Sequence, residues 1–496
     1  MKSLDSSDAR VVDQKARLTE LMHRASGVRI TASVPTDTLG DGRQVEVTVS
    51  VANPSGVDVR LQSIDVAGMQ SSPREAIAFG EVKQELLQVE LPSNGAWTPT
   101  PWLQRAPEEY SFVGDFEAVS RPDGPPGLVA RVSVLVEGHP LTTEIPVLYR
   151  VVDPSFGERA SPAHRLPAFS VTPAREVTEV LEGSATTSWI VRRHGGAREA
   201  EIRFPSEGGW RFDPSVVRVS GDETNLRVTA TTKDAATETA SLRPQVVLDG
   251  REQPAFRLDR VHHEHVGVLM ALRPSVMRFV PLDVRVPAAR VGYVMGAGDE
   301  IPERLADIGV DIELVSIARL RALDFKDKDV LVLGVRAFNV LPELRDLRGR
   351  LFDWVEAGGR LIVQYNTHNW FDPLDFDLGP GTLRLGRSRV TEERSRVQVL
   401  DEMHPVFRDP HRITADDWQS WVQERGLYFA DTWDSSWVPL VEMADPGEDP
   451  NRGALLIRRH GRGEVIYTGL SFFRQIPAGV PGAYRLFLNL IGHARS

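Results

Sequence analysis

Residues 291–315 read VGYVMGAGDEIPERLADIGVDIELV, and this stretch decides the reading of the C-terminal half. Residues 291–295 are apolar or small without alternation, the pattern of a strand buried on both faces. Gly296-Ala297-Gly298 breaks the run. The spacing then predicts a helix over 302–308, stopped by Gly309, and a second strand over 312–317. The same alternation continues downstream. Strands are expected at 329–333, 361–363, 454–457 and 465–468, with helices at 341–357, closed by Gly358-Gly359, and at 484–491. Short apolar runs alternating with amphipathic helices predict a doubly wound, flavodoxin-like α/β domain, placed over residues 266–496.

Upstream the period changes to two. Val45, Val47, Val49 and Val51 alternate with Glu46, Thr48 and Ser50, and Asn53-Pro54-Ser55-Gly56 closes the strand. A hairpin is expected over 132–151, turning at Glu137-Gly138, so residues 28–152 read as an immunoglobulin-like β-sandwich. Residues 153–167 hold three prolines, a glycine and two serines, which is linker composition. A second all-β block over 168–265, with candidate core residues Val217, Val219, Leu226, Val228 and Ala230 and a hairpin at Asp249-Gly250, reads as a second sandwich. Residues 1–27 carry a helix over 11–25 with Val11, Leu18, Leu21, Met22 and Ala25 at heptad-like spacing. The fold expected is thus two all-β immunoglobulin-like sandwiches followed by a flavodoxin-like domain.

Composition removes several function classes. The chain has 496 residues, no cysteine, 58 Lys and Arg, 69 Asp and Glu, and a net charge of −11. Without cysteine there are no disulfides, thiolate metal sites or cysteine nucleophiles. No basic block stands out as a phosphate-backbone stripe, so nucleic acid is not an expected partner. No segment reaches the roughly 20 apolar residues of a membrane span, and the N-terminus MKSLDSSDARVVDQKARL lacks a signal-peptide core. As written, the chain is expected in the cytoplasm. A fragment of a longer exported protein would belong in the periplasm or outside the cell.

Open parallel sheets bind ligands beyond the carboxyl ends of their strands, which selects three loops. Gly296-Ala297-Gly298-Asp299-Glu300 resembles half a dinucleotide fingerprint, but Ile301 replaces the third glycine and two carboxylates stand where a pyrophosphate would go. No nucleotide or other cofactor is therefore expected. The loops at 334–339 and 364–369 are rich in donors and acceptors, with Tyr365, Trp370 and Phe371 offering flat faces that suit a polyhydroxylated ligand. The candidate ligand site is Asp299, Glu300, Arg336, Asn339, Gln364, Asn366 and His368, roofed by Trp421 or Trp433. Six of the ten tryptophans lie beyond residue 350, consistent with a rim of stacking surfaces. The competing reading, in which the amides tie loops together and the indoles pack in a core, stays open.

Other motifs carry less. His262-His263-Glu264-His265 lacks the spaced partners of a zinc site, so no metal is assigned. Arg384, Arg387, Arg389, Arg394 and Arg396, interrupted by Glu392 and Glu393, read as a solvated hairpin. Ser471 in Gly469-Leu470-Ser471-Phe472-Phe473 lacks the second glycine of a nucleophile elbow, and no catalytic residue is assigned.

Several motifs occur in an order that resembles a known family. GYVMGAGDEIPERL (292–305), LVLGVRAFN (331–339), GGRLIVQYNT (358–367), WVQERGLYFADTWD (421–434) and YTGLSFFRQIPAGVPGAYRLFLNLI (467–491) resemble the C-terminal region of large bacterial PIG-L/LmbE-like deacetylases. PWL (101–103) and IPVLYRVVDPSFGE (145–158) extend the likeness toward the N-terminus. The resemblance implies sandwich modules and a class I glutamine-amidotransferase-like domain, the accessory part of such proteins. It carries over no catalytic residue, because the Ala/Pro-His-Pro-Asp-Asp-Glu type motif of the zinc deacetylase domain is missing here; Pro122-Asp123 has no preceding histidine. The amidotransferase cysteine is missing as well. The helix at 11–25 would then resemble the tail of the missing catalytic domain. Two function classes follow: a non-catalytic carbohydrate- or protein-interaction component, acting with a separately encoded deacetylase, or a hydrolase using Glu300, Arg336 and His368 in the C-terminal cleft.

Overall fold

The computed structural model describes residues 9–93, 97–105, 108, 111–113, 124–206, 208–232, 239–263, 267–368, 370–371 and 373–494. The chain divides into two units. One comprises Met1–Glu176, Thr186–Thr231 and Ser241–Met277; the other comprises Val177–Ala185, Thr232–Ala240 and Arg278–Ser496.

Among its described residues the first unit is built mainly of strands, with the helix Ala9–Ser26, whose Leu18, Leu21 and Met22 are exposed rather than core-facing, and a 3-10 turn at Pro101–Leu103. Its larger sheet runs in the order Met69–Ser71, Val59–Val66, Val129–Val136, His139–Asp153, Arg29–Val34, Gln44–Ala52, Val82–Glu90. The 15-residue strand His139–Asp153 makes this one continuous sheet: its first half pairs with Val129–Val136 and its second with Arg29–Val34. The two ends curl together, where the Ser71 hydroxyl donates to Glu85 Oε2 at 3.1 Å, so the sandwich is a nearly closed barrel. Val45, Val47, Val49 and Val51 face its core. The Glu137-Gly138 turn has φ of 49° and 74°, the left-handed pair that matches the twist of a two-residue hairpin. The expected linker is not a linker. Gly157–Pro162 and His164–Leu166 are strands, and Arg165 forms a buried ion pair with Asp41 at 2.8 Å.

Two further four-stranded sheets of this unit include Ser184–Arg193 and Glu223–Thr232 in one and Ala200–Arg203 and Gln245–Leu248 in the other, with Trp189 edge-on to Phe204 between them. Strands Phe256–His263 and Gly267–Pro274, on either side of the boundary expected at 265/266, pair antiparallel. Residues Val177–Ala185 leave the second sandwich for the other unit.

In the second unit a seven-stranded sheet holds β1 (Val291–Val294), β2 (Ile312–Leu314), β3 (Val330–Leu333), β4 (Arg360–Gln364), β5 (Val438–Pro439), β6 (Leu455–His460) and β7 (Gly463–Thr468), in the order β2-β1-β3-β4-β7-β6-β5. Five neighbours are parallel, but β6 and β5 join antiparallel. The flavodoxin-like expectation is overturned here. The protein is mostly β, 44% strand against 15% helix, with many sheets and no clear flavodoxin-like domain. A doubly wound sheet needs a covering helix in each crossover. Between β4 and β7 the chain instead forms small antiparallel pairs, Leu383–Leu385 with Ala430–Trp433, Arg389–Val390 with Gly426–Leu427, and Val397–Val399 with Val441–Met443. The five arginines do not form the expected hairpin: Arg384 lies in the strand that pairs with Ala430–Trp433, Arg389 in the one that pairs with Gly426–Leu427, and Arg387, Arg394 and Arg396 lie outside strands.

Candidate functional site

The strands β1, β3 and β4 bury alternate residues on two faces. Tyr293, Val332 and Ile362 enter one core; Val294, Leu331, Leu333 and Val363 enter the other. At the carboxyl edge the first face carries a buried polar chain. Gln364 Nε2 donates to Tyr293 Oη at 2.7 Å, and Tyr293 Oη donates to both Asp299 oxygens at 2.8 Å. The Ile301 N–H adds a third bond to Asp299 at 3.0 Å. Burial pushes the Asp299 carboxyl above the usual carboxylate range, against the donors of Tyr293, Ile301 and Val335. Burial and the adjacent Asp299 also push the Tyr293 phenol well above its ordinary value, so it stays a donor. A Cβ on Gly296 would lie 2.0 Å from the Val335 carbonyl oxygen, so this glycine serves the approach of two loops.

Gln364 Oε1 is buried without a hydrogen-bond partner, whereas both ends of the Asn339 and Asn366 amides are bonded. Asn366 Oδ1 accepts from the Phe338 N–H at 2.9 Å, and its Nδ2 donates to the Gln364 carbonyl at 3.0 Å. Asn339 exchanges two bonds with the Thr367 backbone, both 2.9 Å. Arg336 sits at φ 58°, a left-handed turn after β3, with its N–H donating to the Tyr365 carbonyl at 2.8 Å. His368 Nδ1 accepts from the Leu374 N–H at 3.0 Å, and Glu300 accepts from Arg304 at 3.0 Å. The structure thus joins Asp299 to Gln364 and ties the loops of β3 and β4 through Asn339 and Asn366. These bonds hold the loops of the sheet edge to one another.

Neither tryptophan roofs a cleft. Trp421 is 3% exposed, packed against Trp418 and Phe472 in the core under one sheet face. Trp433 packs against the core of the opposite face. Trp354, Trp418 and Trp437 are buried too, which removes the rim expected from six tryptophans. Segment 421–428 covers the edge itself: the Leu427 N–H donates to the Gly469 carbonyl at 2.9 Å, and Tyr428 stacks on Tyr365 with centroids 6.2 Å apart. Ser471 is fully buried, its hydroxyl donating to the Glu424 carbonyl at 2.7 Å, so it presents no nucleophile.

Two groups of residues escaped the sequence reading. Tyr293, the hub of the polar chain, looks like any apolar strand residue until its partner carboxylate is placed. Arg408, Arg412 and Arg425 join Arg394 and Arg396 around a cavity of about 530 Å³, although no spacing in the sequence links them. Trp370 and Phe371 are 92% and 95% exposed. His262 and His263 are exposed at the end of a strand. Asn369, Glu264, His265, Pro122 and Asp123 lie outside the described residues. Among the described residues no helix is long and apolar enough to cross a membrane.

No family model and no curated protein matches this chain. Solved structures give distant likenesses. A β-galactosidase from Rahnella sp. R3 is 16% identical, with 42% of this chain and 32% of that one covered and a TM-score of 0.25. Red sea bream transglutaminase is 9% identical, with coverages of 56% and 34% and a TM-score of 0.24. Native α2-macroglobulin of E. coli is 12% identical, with coverages of 51% and 17% and a TM-score of 0.18. The chain spans a third or less of the length of each, to within a few per cent.

Proposed function

We propose that this protein is a non-catalytic carbohydrate-interaction component, related to the accessory region of PIG-L/LmbE-like deacetylases and acting beside a deacetylase carried on another chain. One observation carries the reading: Trp370 is 92% exposed on the loop that follows β4. A large aromatic ring left in water is costly unless something covers it, and a flat ring stacks on the apolar face of a sugar. Ser471 beside this edge is buried and donates to the Glu424 carbonyl, which supports a binding role over a serine-hydrolase one. Calorimetric titration with N-acetylglucosamine oligomers tests this. Binding that is lost in a Trp370→Ala/Phe371→Ala double variant is the expected result. No heat with the intact protein, or release of acetate from those oligomers by the purified chain, would defeat the proposal.

A further inference from the structure

The cavity behind strand Val397–Val399 goes beyond that reading. Its wall carries five arginines, Arg394, Arg396, Arg408, Arg412 and Arg425, against one carboxylate, Glu402. The protein as a whole is acidic, with a net charge of −11, so this concentration of one sign is local. Arg425 lies at the base, 3% exposed. Its Nε donates to the Ser395 carbonyl at 3.0 Å and its Nη1 to the Trp418 carbonyl, and neither acceptor is a carboxylate. Burial draws its pKa down to about 10, an effect that the more distant Glu393 and Glu392 offset only in part. Arg408 donates to the Glu402 carbonyl oxygen at 2.9 Å and to Met403 Sδ at 2.8 Å, leaving its own charge unneutralised. Among the described residues no carboxylate pairs with Arg396, Arg412 or Arg425.

We propose that this cavity binds a small organic molecule bearing two or more phosphate or carboxylate groups. A cation buried without a counter-ion calls for an external one. Guanidinium forks match both oxyanions bidentately, and a concave wall of one sign concentrates the field. The volume falls in the ~300–1,000 Å³ range of small-molecule sites, too confined for a polymer. Val399, Phe407, Ile413 and Trp418 supply an apolar wall for the ligand's carbon body.

Pyrophosphate and citrate are the probes, titrated against the full chain at ionic strength matched with sodium chloride. One or both should bind at one per chain and raise the melting temperature. Binding of pyrophosphate alone assigns a phosphorylated ligand; binding of citrate alone assigns a polycarboxylate; both support the shared oxyanion chemistry. An Arg396→Gln/Arg412→Gln variant, altered only at exposed rim positions, should bind at least tenfold more weakly while melting at the same temperature without ligand. Equal binding by that variant, or no response to either probe beyond sodium chloride, would overturn the proposal. The Trp370→Ala/Phe371→Ala variant should bind pyrophosphate normally, so the two sites fail independently.

Discussion

The carboxyl edge of the mixed sheet and the arginine cavity both gather polar side chains from distant parts of the second unit, yet they are opposite in kind. At the edge, donors meet acceptors within the protein: Gln364 to Tyr293, Tyr293 to Asp299, Asn339 to Thr367 and Asn366 to Phe338. In the cavity, charges of one sign face each other with a single carboxylate among them. Dense polar residues therefore do not by themselves mark a ligand site. What marks one is a group whose natural partner the protein does not provide.

That contrast is broken most directly at Trp421. If the indole closes a core rather than a ligand cleft, Trp421→Ala should lower stability by about 3–5 kcal/mol in denaturant titration. A loss below about 1 kcal/mol would return Trp421 to the surface and reopen the edge as a binding site. Asn366→Ala comes next. It leaves the Phe338 N–H and Gln364 carbonyl without partners in a buried setting, for a loss of about 3 kcal/mol. Stability unchanged in this variant would show that the loops of β3 and β4 are tied by something else.

The parts of this architecture that the sequence made legible are those with a local cause. β1, β3 and β4 are sandwiched between two cores, so their residues are apolar without alternation, and all three were expected within a residue or two. Glu137-Gly138 and Asp249-Gly250 declare their hairpins because both positions require positive φ. Residues 365–453 gave no such signal. Their strands are two to four residues long, as in Arg389–Val390 and Gly426–Leu427, too short to display a period, and the flavodoxin-like expectation filled that silence with a fold that is not there. The bonding at the candidate site was hidden for a related reason. Sequence placed Asp299, Gln364 and Asn366 at the right edge but could not show that Tyr293 and two backbone N–H groups already answer them. The arginines of the cavity come from three separated segments, and the nearby Glu392 and Glu393 disguised the first of these as a balanced surface.

A smaller effect distinguishes a structural carboxyl from one awaiting a cation. Tyr293→Phe should cost about 1–3 kcal/mol, since it strips Asp299 and Gln364 of their shared partner. The pH dependence gives the sign. Asp299 titrates higher in the folded protein than in the unfolded chain, so the native state holds the extra proton. Its contribution is most favourable below the ordinary carboxylate value and is lost as pH rises through the raised one. Relative to Asp299→Asn, the wild-type protein should therefore lose stability in urea titrations as pH rises above the ordinary carboxylate range. The reverse trend would mean that the carboxylate is held ionised by a charge at the edge.

The smallest expected change is the most informative about the cavity. Arg396 is exposed, and among the described residues it has neither a carboxylate nor a hydrogen-bond acceptor of its own, while four other guanidinium groups share its wall. Removing a positive charge from such a wall takes away repulsion and no attraction. Arg396→Gln should leave stability unchanged to within about 0.5 kcal/mol, with any shift toward a more stable protein. Salt provides the check. Screening lengths shorten from about 30 Å at 0.01 M to about 10 Å at 0.1 M, so the gain should be greatest at low ionic strength and fade as salt is added. A variant that is instead less stable at low salt would show that Arg396 answers a negative group within the protein, and the cavity would then resemble the bonded pairs of the sheet edge rather than a site that awaits an anion.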